Sequence, residues 1–203
     1  MASPVDIVNR ALSKLGGKRI ASMDDNTVDA RLASSLYEIV RDAEMSAYAW
    51  SFAKHRKRIP AEADPPAFGW ARQYLLPSDC LRVLEAGPWP QAVMADYIGG
   101  DTSEYTIEGG RLLTNQGPAL NLIYLRRIED SGLYPAIFIE ALACKLAVEM
   151  TEALTAAGAG KRQLAWQEYE HAIKTARRHN AIQRPPVKIQ DDTWATAHML
   201  GSI

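Results

Sequence analysis

The sequence predicts an α+β protein: an antiparallel bundle of about four helices, a small antiparallel β domain inserted into it, and an extended C-terminal tail. Three observations predict it. Apolar residues recur at helical spacing in the first fifty residues and again in the last third of the chain. Between them lie short apolar runs punctuated by Pro and Gly turns. Beyond Arg184 no periodicity remains. The expected division is 1–50 and 132–183 for the bundle, 51–131 for the inserted β domain and 184–203 for the tail.

The elements follow in order. Ser3 is a good N-cap and Pro4 suits a first helical position, so a helix is expected over 4–15, with Val5, Val8, Leu12 and Leu15 inward and Gly16-Gly17 as its stop. Asp24, Asp25 and Asn26 supply cap oxygens for a second helix over about 27–49. Its inner stripe is read as Val28, Leu32, Leu36, Ile39 and Ala43. Tyr37, Met45 and Tyr48 fall off that stripe and suggest a second, partly buried face. Residues 52–59 are short, basic and bounded by Pro60, as an edge strand would be. Strands over 71–76 and 81–86 flank Pro77-Ser78-Asp79, where proline removes a ladder donor and Ser and Asp favour a turn. Gly87-Pro88-Trp89-Pro90 reads as a further turn. Gly109-Gly110 between 105–108 and 111–114 is a hairpin signal, and 120–127 closes the β segment. A third helix, expected to be the most buried, begins near Pro135 and runs to 154. Residues 156–160 break the chain. A fourth helix over about 161–179 points Ala165, Tyr169, Ala172, Ile173 and Ala176 inward, and Pro185-Pro186 ends it.

Composition narrows the function classes. The 203 residues are 47% hydrophobic, enough for a core, and a net charge of -1 leaves any anion contact to a local patch. Cys80 and Cys144 form no CxxC pattern and read as reduced, buried thiols of a cytoplasmic protein. No signal peptide is expected at the N-terminus, and no apolar run approaches the ~20 residues that cross a bilayer.

Catalytic patterns fare poorly. Gly160-Lys161 has the ending of a phosphate-binding loop, but Thr155 stands where its first glycine belongs and Arg162 where Ser or Thr would hold magnesium. His55, His171, His179 and His198 are scattered and make no zinc spacing. Ser78-Asp79 lacks a GxSxG frame. Glu149 and Glu152 share a helix face, where a solvated polar stripe is the simpler reading. No catalytic residue, metal or cofactor is therefore expected. Lys54, Arg56 and Arg58 alternate within the densest basic run and would project together from a strand. They could meet a phosphate backbone without reading sequence, or simply keep an edge strand soluble. Arg177, Arg178 and His179 suit the last turn of a helix, where the dipole favours cations. In the tail, Asp191, Asp192, Trp194, Met199 and Leu200 have no core to enter, and the tryptophan suits an anchor for a partner.

Five stretches, in order, carry a likeness: WSFAKHRKR after a long helix, YLLPSDCLRVLE, YTIEGGRLLTN, LIYLRRIEDSGLYPAIFIEALACKLA and DDTWATA. Together they resemble the head-to-tail adaptors of short-tailed bacteriophages, the tail tubular protein A or tail accessory factor family. The resemblance implies a non-enzymatic virion protein at the head–tail junction, assembled in the host bacterial cytoplasm. It implies a ring of about twelve subunits built by heterologous contacts beneath the portal protein. That ring would extend the channel for double-stranded DNA, bind it without sequence specificity, and join a downstream tail or nozzle protein, with no membrane contact. On this reading the tail residues Asp191 to Leu200 grip the portal, Lys54, Arg56 and Arg58 line the channel, and Tyr37, Met45 and Tyr48 face the neighbouring subunit. Two rivals stand beside it: a stand-alone nucleic-acid-binding protein using residues 54–58, and a cell-wall hydrolase.

Overall fold

The computed structural model describes residues 2–87, 105–117, 119–154 and 159–183. Helix α1 (Pro4–Leu15) begins in a capping box. The Ser3 hydroxyl accepts from the Asp6 amide, and the Asp6 carboxylate accepts from the Ser3 amide in return. Gly16 ends the helix at φ 74°, a left-handed conformation that glycine adopts without steric cost. Helix α2 (Val28–Ala47) is capped by Thr27, whose hydroxyl accepts from Ala30. Among the described residues six strands follow: β1 (Lys54–Pro60), β2 (Arg72–Leu75), β3 (Cys80–Gly87), β4 (Tyr105–Glu108), β5 (Arg111–Thr114) and β6 (Ala119–Arg126). Helices α3 (Ala136–Leu154) and α4 (Ala159–Ile182) complete the described chain. The α+β class and the helical bundle with an antiparallel β insertion are as the sequence predicts. The proposed tail, and the turn at 88–90, lie outside the described residues.

Helix α3 is the centre of the bundle, packed by α1, α2 and α4. Its Phe138, Leu142, Leu146 and Met150 are buried, in keeping with its nearly all-round apolar sequence. Helix α4 lies along α3 and buries Ala172, Ile173 and Ala176. It starts two residues earlier than the Gly-rich sequence suggests, with Ala159 and Gly160 already helical.

The strands make two three-stranded antiparallel sheets, in the orders β1-β6-β3 and β2-β5-β4. The first sheet is shared between two cores. On one face Ile59, Leu120, Leu122 and Tyr124 meet Tyr74 of β2 and Leu112 of β5. On the other, Leu125 enters the helical core. Strand β3 serves both cores by irregular pairing. Its register with β6 slips between Cys80 and Arg82 and again between Val83 and Glu85. Each slip is a bulge that places an extra residue in the strand. Leu81 and Leu84 thereby pack against the helical core, while Cys80, Val83 and Ala86 pack against the β core.

The Pro77-Ser78-Asp79 corner links the two sheets, because β2 and β3 belong to different ones. The Cys80 amide donates to the Pro77 carbonyl at 2.9 Å, closing the turn. Asp79 pins the corner to β6: its carboxylate accepts from the Tyr124 hydroxyl at 3.1 Å, and its carbonyl accepts from the Arg127 amide at 2.7 Å. The β4–β5 hairpin turns at Gly109 and Gly110, with φ of 54° and 77°, as a type I′ turn requires.

Two expectations are corrected. The run expected as a strand from Phe52 starts as a 3-10 turn (Ser51–Ala53), and pairing begins only at Lys54. Trp50 and Phe52 explain it, since both turn inward onto Phe138 at ring separations of 5.1 and 4.9 Å. The second correction is the rotation of α2. Its buried face is Ala30, Ala33, Tyr37, Val40, Arg41, Glu44 and Met45. Of the stripe expected inside, Val28, Ile39 and Ala43 look outward, Val28 63% and Ile39 68% exposed, while Leu32 and Leu36 are half-buried against the core.

Candidate nucleic-acid interface and assembly surfaces

Among the described residues strand β1 is the edge of its sheet and pairs with β6 alone. Lys54, Arg56 and Arg58 stand opposite Leu125, Ile123 and Asn121. Directly opposed residues of an antiparallel pair share a face, and alternate residues along a strand do too. The three cations therefore form one row, with a spacing of about 6.7 Å along the strand. Arg56 and Arg58 are exposed and Lys54 is half-buried. The row starts beside the helical core at Leu125 and runs outward from it. His55 and Lys57 project to the other face, where the His55 ring meets the Tyr124 ring edge-on at 5.6 Å.

Sequence reasoning missed one member of this surface. Arg82 pairs with Leu125 and so shares the face of Lys54, across the sheet. It is exposed, and beside it Glu85, opposite Ile123, supplies one negative charge. The three-residue spacing of Cys80, Val83 and Ala86 inside a β segment was the available signal that the strand is bulged. A regular strand would alternate by two.

The expected subunit contacts are not where the sequence placed them. Tyr37 is 4% and Met45 0% exposed, so both are core residues and present no surface. Tyr48 is half-buried between the Trp50 ring at 4.9 Å and the Arg177 guanidinium at 5.4 Å from its centroid. The five tail residues, Asp191, Asp192, Trp194, Met199 and Leu200, lie outside the described residues.

The inner face of α2 carries charge. Glu44 is only 5% exposed and accepts from the Tyr169 hydroxyl at 2.8 Å. Burial pushes its carboxyl above the usual range, against the pull of Tyr169, Lys145 and Arg177. Among the described residues its second oxygen has no hydrogen-bond partner. Lys145 sits 5.3 Å from both the Trp166 and Tyr169 ring centroids and pairs with Glu149 at 2.8 Å. Glu149 and Glu152 do not converge on one site: Glu149 pairs with Lys145, Glu152 with Arg162, and both carboxylates are exposed.

A groove of about 900 Å³ runs between α1 and α4 over α3. Ala136, Ile137, Ile139 and Ala172 give it an apolar floor, and Arg10, Lys14, Glu140 and Glu168 form an ionic rim. Burial opposes the charge of Glu140, but hydrogen bonds from Lys14 and Arg10 outweigh it and hold the carboxyl below its usual range. Cys144, also on the groove, is a buried thiol that burial pushes upward. Cys80 is pushed up to about 11 by burial and then by Asp79, so it is a neutral thiol at pH 7, the opposite of an activated nucleophile. Among the described residues no cluster of three His, Cys, Asp or Glu could hold a metal ion, and no helix is long and apolar enough to cross a membrane. Compared with known proteins, the chain matches no family model and no curated protein.

Proposed function

We propose that this chain is a structural subunit of the head-to-tail adaptor ring of a tailed bacteriophage. It docks beneath the portal protein, continues the DNA channel and receives the next tail component. The ordered likeness of five sequence stretches motivates the reading. The observation that carries it is the outward row of Lys54, Arg56 and Arg58 on the edge of a β unit mounted on a helical bundle. Such a row attracts phosphates without reading bases, which suits DNA that must slide. The role is non-enzymatic: the ionisable pairs of the helical unit hold helices together.

The test is to mix the purified protein with its portal and image the product by electron microscopy. A ring of this protein beneath the portal is expected. Removing residues 185–203 leaves the fold intact by circular dichroism and abolishes attachment. No portal complex, together with tight DNA binding by the monomer, would replace this reading with that of a stand-alone nucleic-acid-binding protein.

A second measurement addresses the row itself. Affinity for double-stranded DNA is followed by fluorescence anisotropy as salt is varied. Changing Arg56→Gln and Arg58→Gln together lowers the magnitude of the log–log salt slope by about 2, roughly one per lost phosphate contact. An unchanged slope removes these side chains from the DNA surface.

A further inference from the structure

Chain exit, charge and shape converge on the outer edge of β1. Helix α4 ends beside the start of that strand: the Asn180 side chain accepts from the Ser51 amide at 2.7 Å and donates to the Ala49 carbonyl at 3.4 Å. Residues 184–203 continue from this point and lie outside the described residues. Asp191 and Asp192 are the acids of that segment. Strand β1 carries Lys54, Arg56, Lys57 and Arg58 and no acid. At its outer end opens a cleft of about 810 Å³, where Ile59, Leu75, Leu76 and Pro77 form an apolar lining beside Lys57. Leu75 is 58% exposed there.

We propose that residues 191–194 of the free chain dock on β1 of the same molecule, with Asp191 and Asp192 against its cations and Trp194 in the cleft. Three arguments select this occupant. A sheet edge is a template for an extended chain, and a basic edge repels most such chains while favouring an acidic one. Adjacent residues of an extended segment point to opposite sides, so the two aspartates can meet Arg58 on one face and Lys57 on the other. Asp192 and Trp194 then fall on one side, as Lys57 and the cleft do. Reach is sufficient: the 11 residues from Gln183 to Trp194 span up to about 36 Å, against about 23 Å for the 7 of β1. The contact needs little area, because a tethered segment meets its site at an effective concentration of ~1 mM. Even a Kd of ~0.1 mM then covers β1 in about ten molecules of eleven. The inference goes beyond the ring reading and concerns the chain before assembly. A tail held elsewhere leaves β1 open to phosphate, and an unattached tail covers it.

Amide hydrogen exchange and DNA binding test this in the full chain. Asp191→Asn, Asp192→Asn and Trp194→Ala are combined in one variant. Residues 54–60 should exchange faster in the variant than in the wild type, with α3 unchanged. At about 0.1 M salt, duplex DNA should bind the variant about tenfold tighter, since cover lowers the apparent affinity to the open fraction. Asp24→Asn with Glu168→Gln is the control for charge alone. Both positions are exposed, and most of α2 and half of α4 separate them from β1. That control should gain far less, because at this salt charges are screened beyond about 10 Å. Equal exchange in wild type and variant, or an equal gain by the control, overturns the proposal. Protection of β1 that grows with protein concentration assigns the docked tail to a second copy and overturns it too. Portal attachment is scored separately. Attachment without protection removes this inference and leaves the adaptor reading; protection without attachment does the reverse.

Discussion

Replacing Trp50 by alanine should destabilise the protein by about 3–5 kcal/mol, the usual range for truncating a fully buried large aromatic. The residue is 2% exposed and lies where α2 hands the chain to β1. Its ring packs against Phe138 at 5.1 Å and 69°, and against Tyr48 at 4.9 Å and 65°, both edge-on geometries that add to simple burial. Its indole N–H donates to the Glu44 carbonyl at 2.9 Å. The next residue extends the junction, since the Ser51 amide donates to the Asn180 side chain near the end of α4. Three elements therefore meet at this point, and collapse around a deletion is restricted on every side. Trp50→Phe should cost less, because it keeps much of the packing and loses chiefly the hydrogen bond, about 1–3 kcal/mol for a buried acceptor left unpaired. Urea denaturation followed by circular dichroism measures both. A loss below about 1.5 kcal/mol for the alanine variant would show that the junction is not a fixed part of the core.

The parts of this fold that were legible in the sequence are those fixed by local chemistry. Ser3 and Asp6 declare a capped helix start, Gly109-Gly110 declares a hairpin, and Pro77-Ser78-Asp79 declares a corner, because each acts on its own backbone. The face of α2 was not legible. Periodicity assigns the most apolar stripe to the interior, and in this helix the interior takes two alanines, Arg41 and Glu44, while Val28 and Ile39 look outward. Small residues let α2 approach α3 closely, and the buried charges are partnered: Arg41 by its neighbour Asp42, and Glu44 by the Tyr169 hydroxyl of α4. Asp42 is local, but Tyr169 lies far along the chain, so no window of sequence contains the reason that Glu44 is tolerated inside. The same holds for the basic surface. The alternation of Lys54, Arg56 and Arg58 was readable from the strand period, whereas Arg82 joins their face only through bulges that pairing with β6 creates.

Glu44 should make the protein less stable as pH rises, against the common behaviour of carboxylates. Its folded-state pKa is raised by burial, so the folded state holds the proton more tightly than the unfolded chain does. The stabilising contribution is fully present below the ordinary carboxyl range and is lost as pH climbs through the raised value. Glu140 has the opposite sign: its pKa is lowered by Lys14 and Arg10, so its contribution is present above the ordinary range and lost on acidification. The two can be separated by substitution. Glu44→Gln keeps an acceptor for the Tyr169 hydroxyl and removes the buried charge, so it should raise the denaturation midpoint at pH 7 and leave it nearly unchanged at pH 4. Tyr169→Phe does the reverse. It strips the carboxylate of its 2.8 Å donor while the other oxygen already lacks a partner, and should cost about 1–3 kcal/mol at pH 7. Because that bond lowers the pKa of Glu44, its removal moves the titration further up, and the cost should shrink as the solution is acidified. If Glu44→Gln is destabilising at pH 7, Lys145 and Arg177 compensate the charge more fully than burial penalises it, and the assignment of Glu44 as the strained carboxylate of the bundle fails.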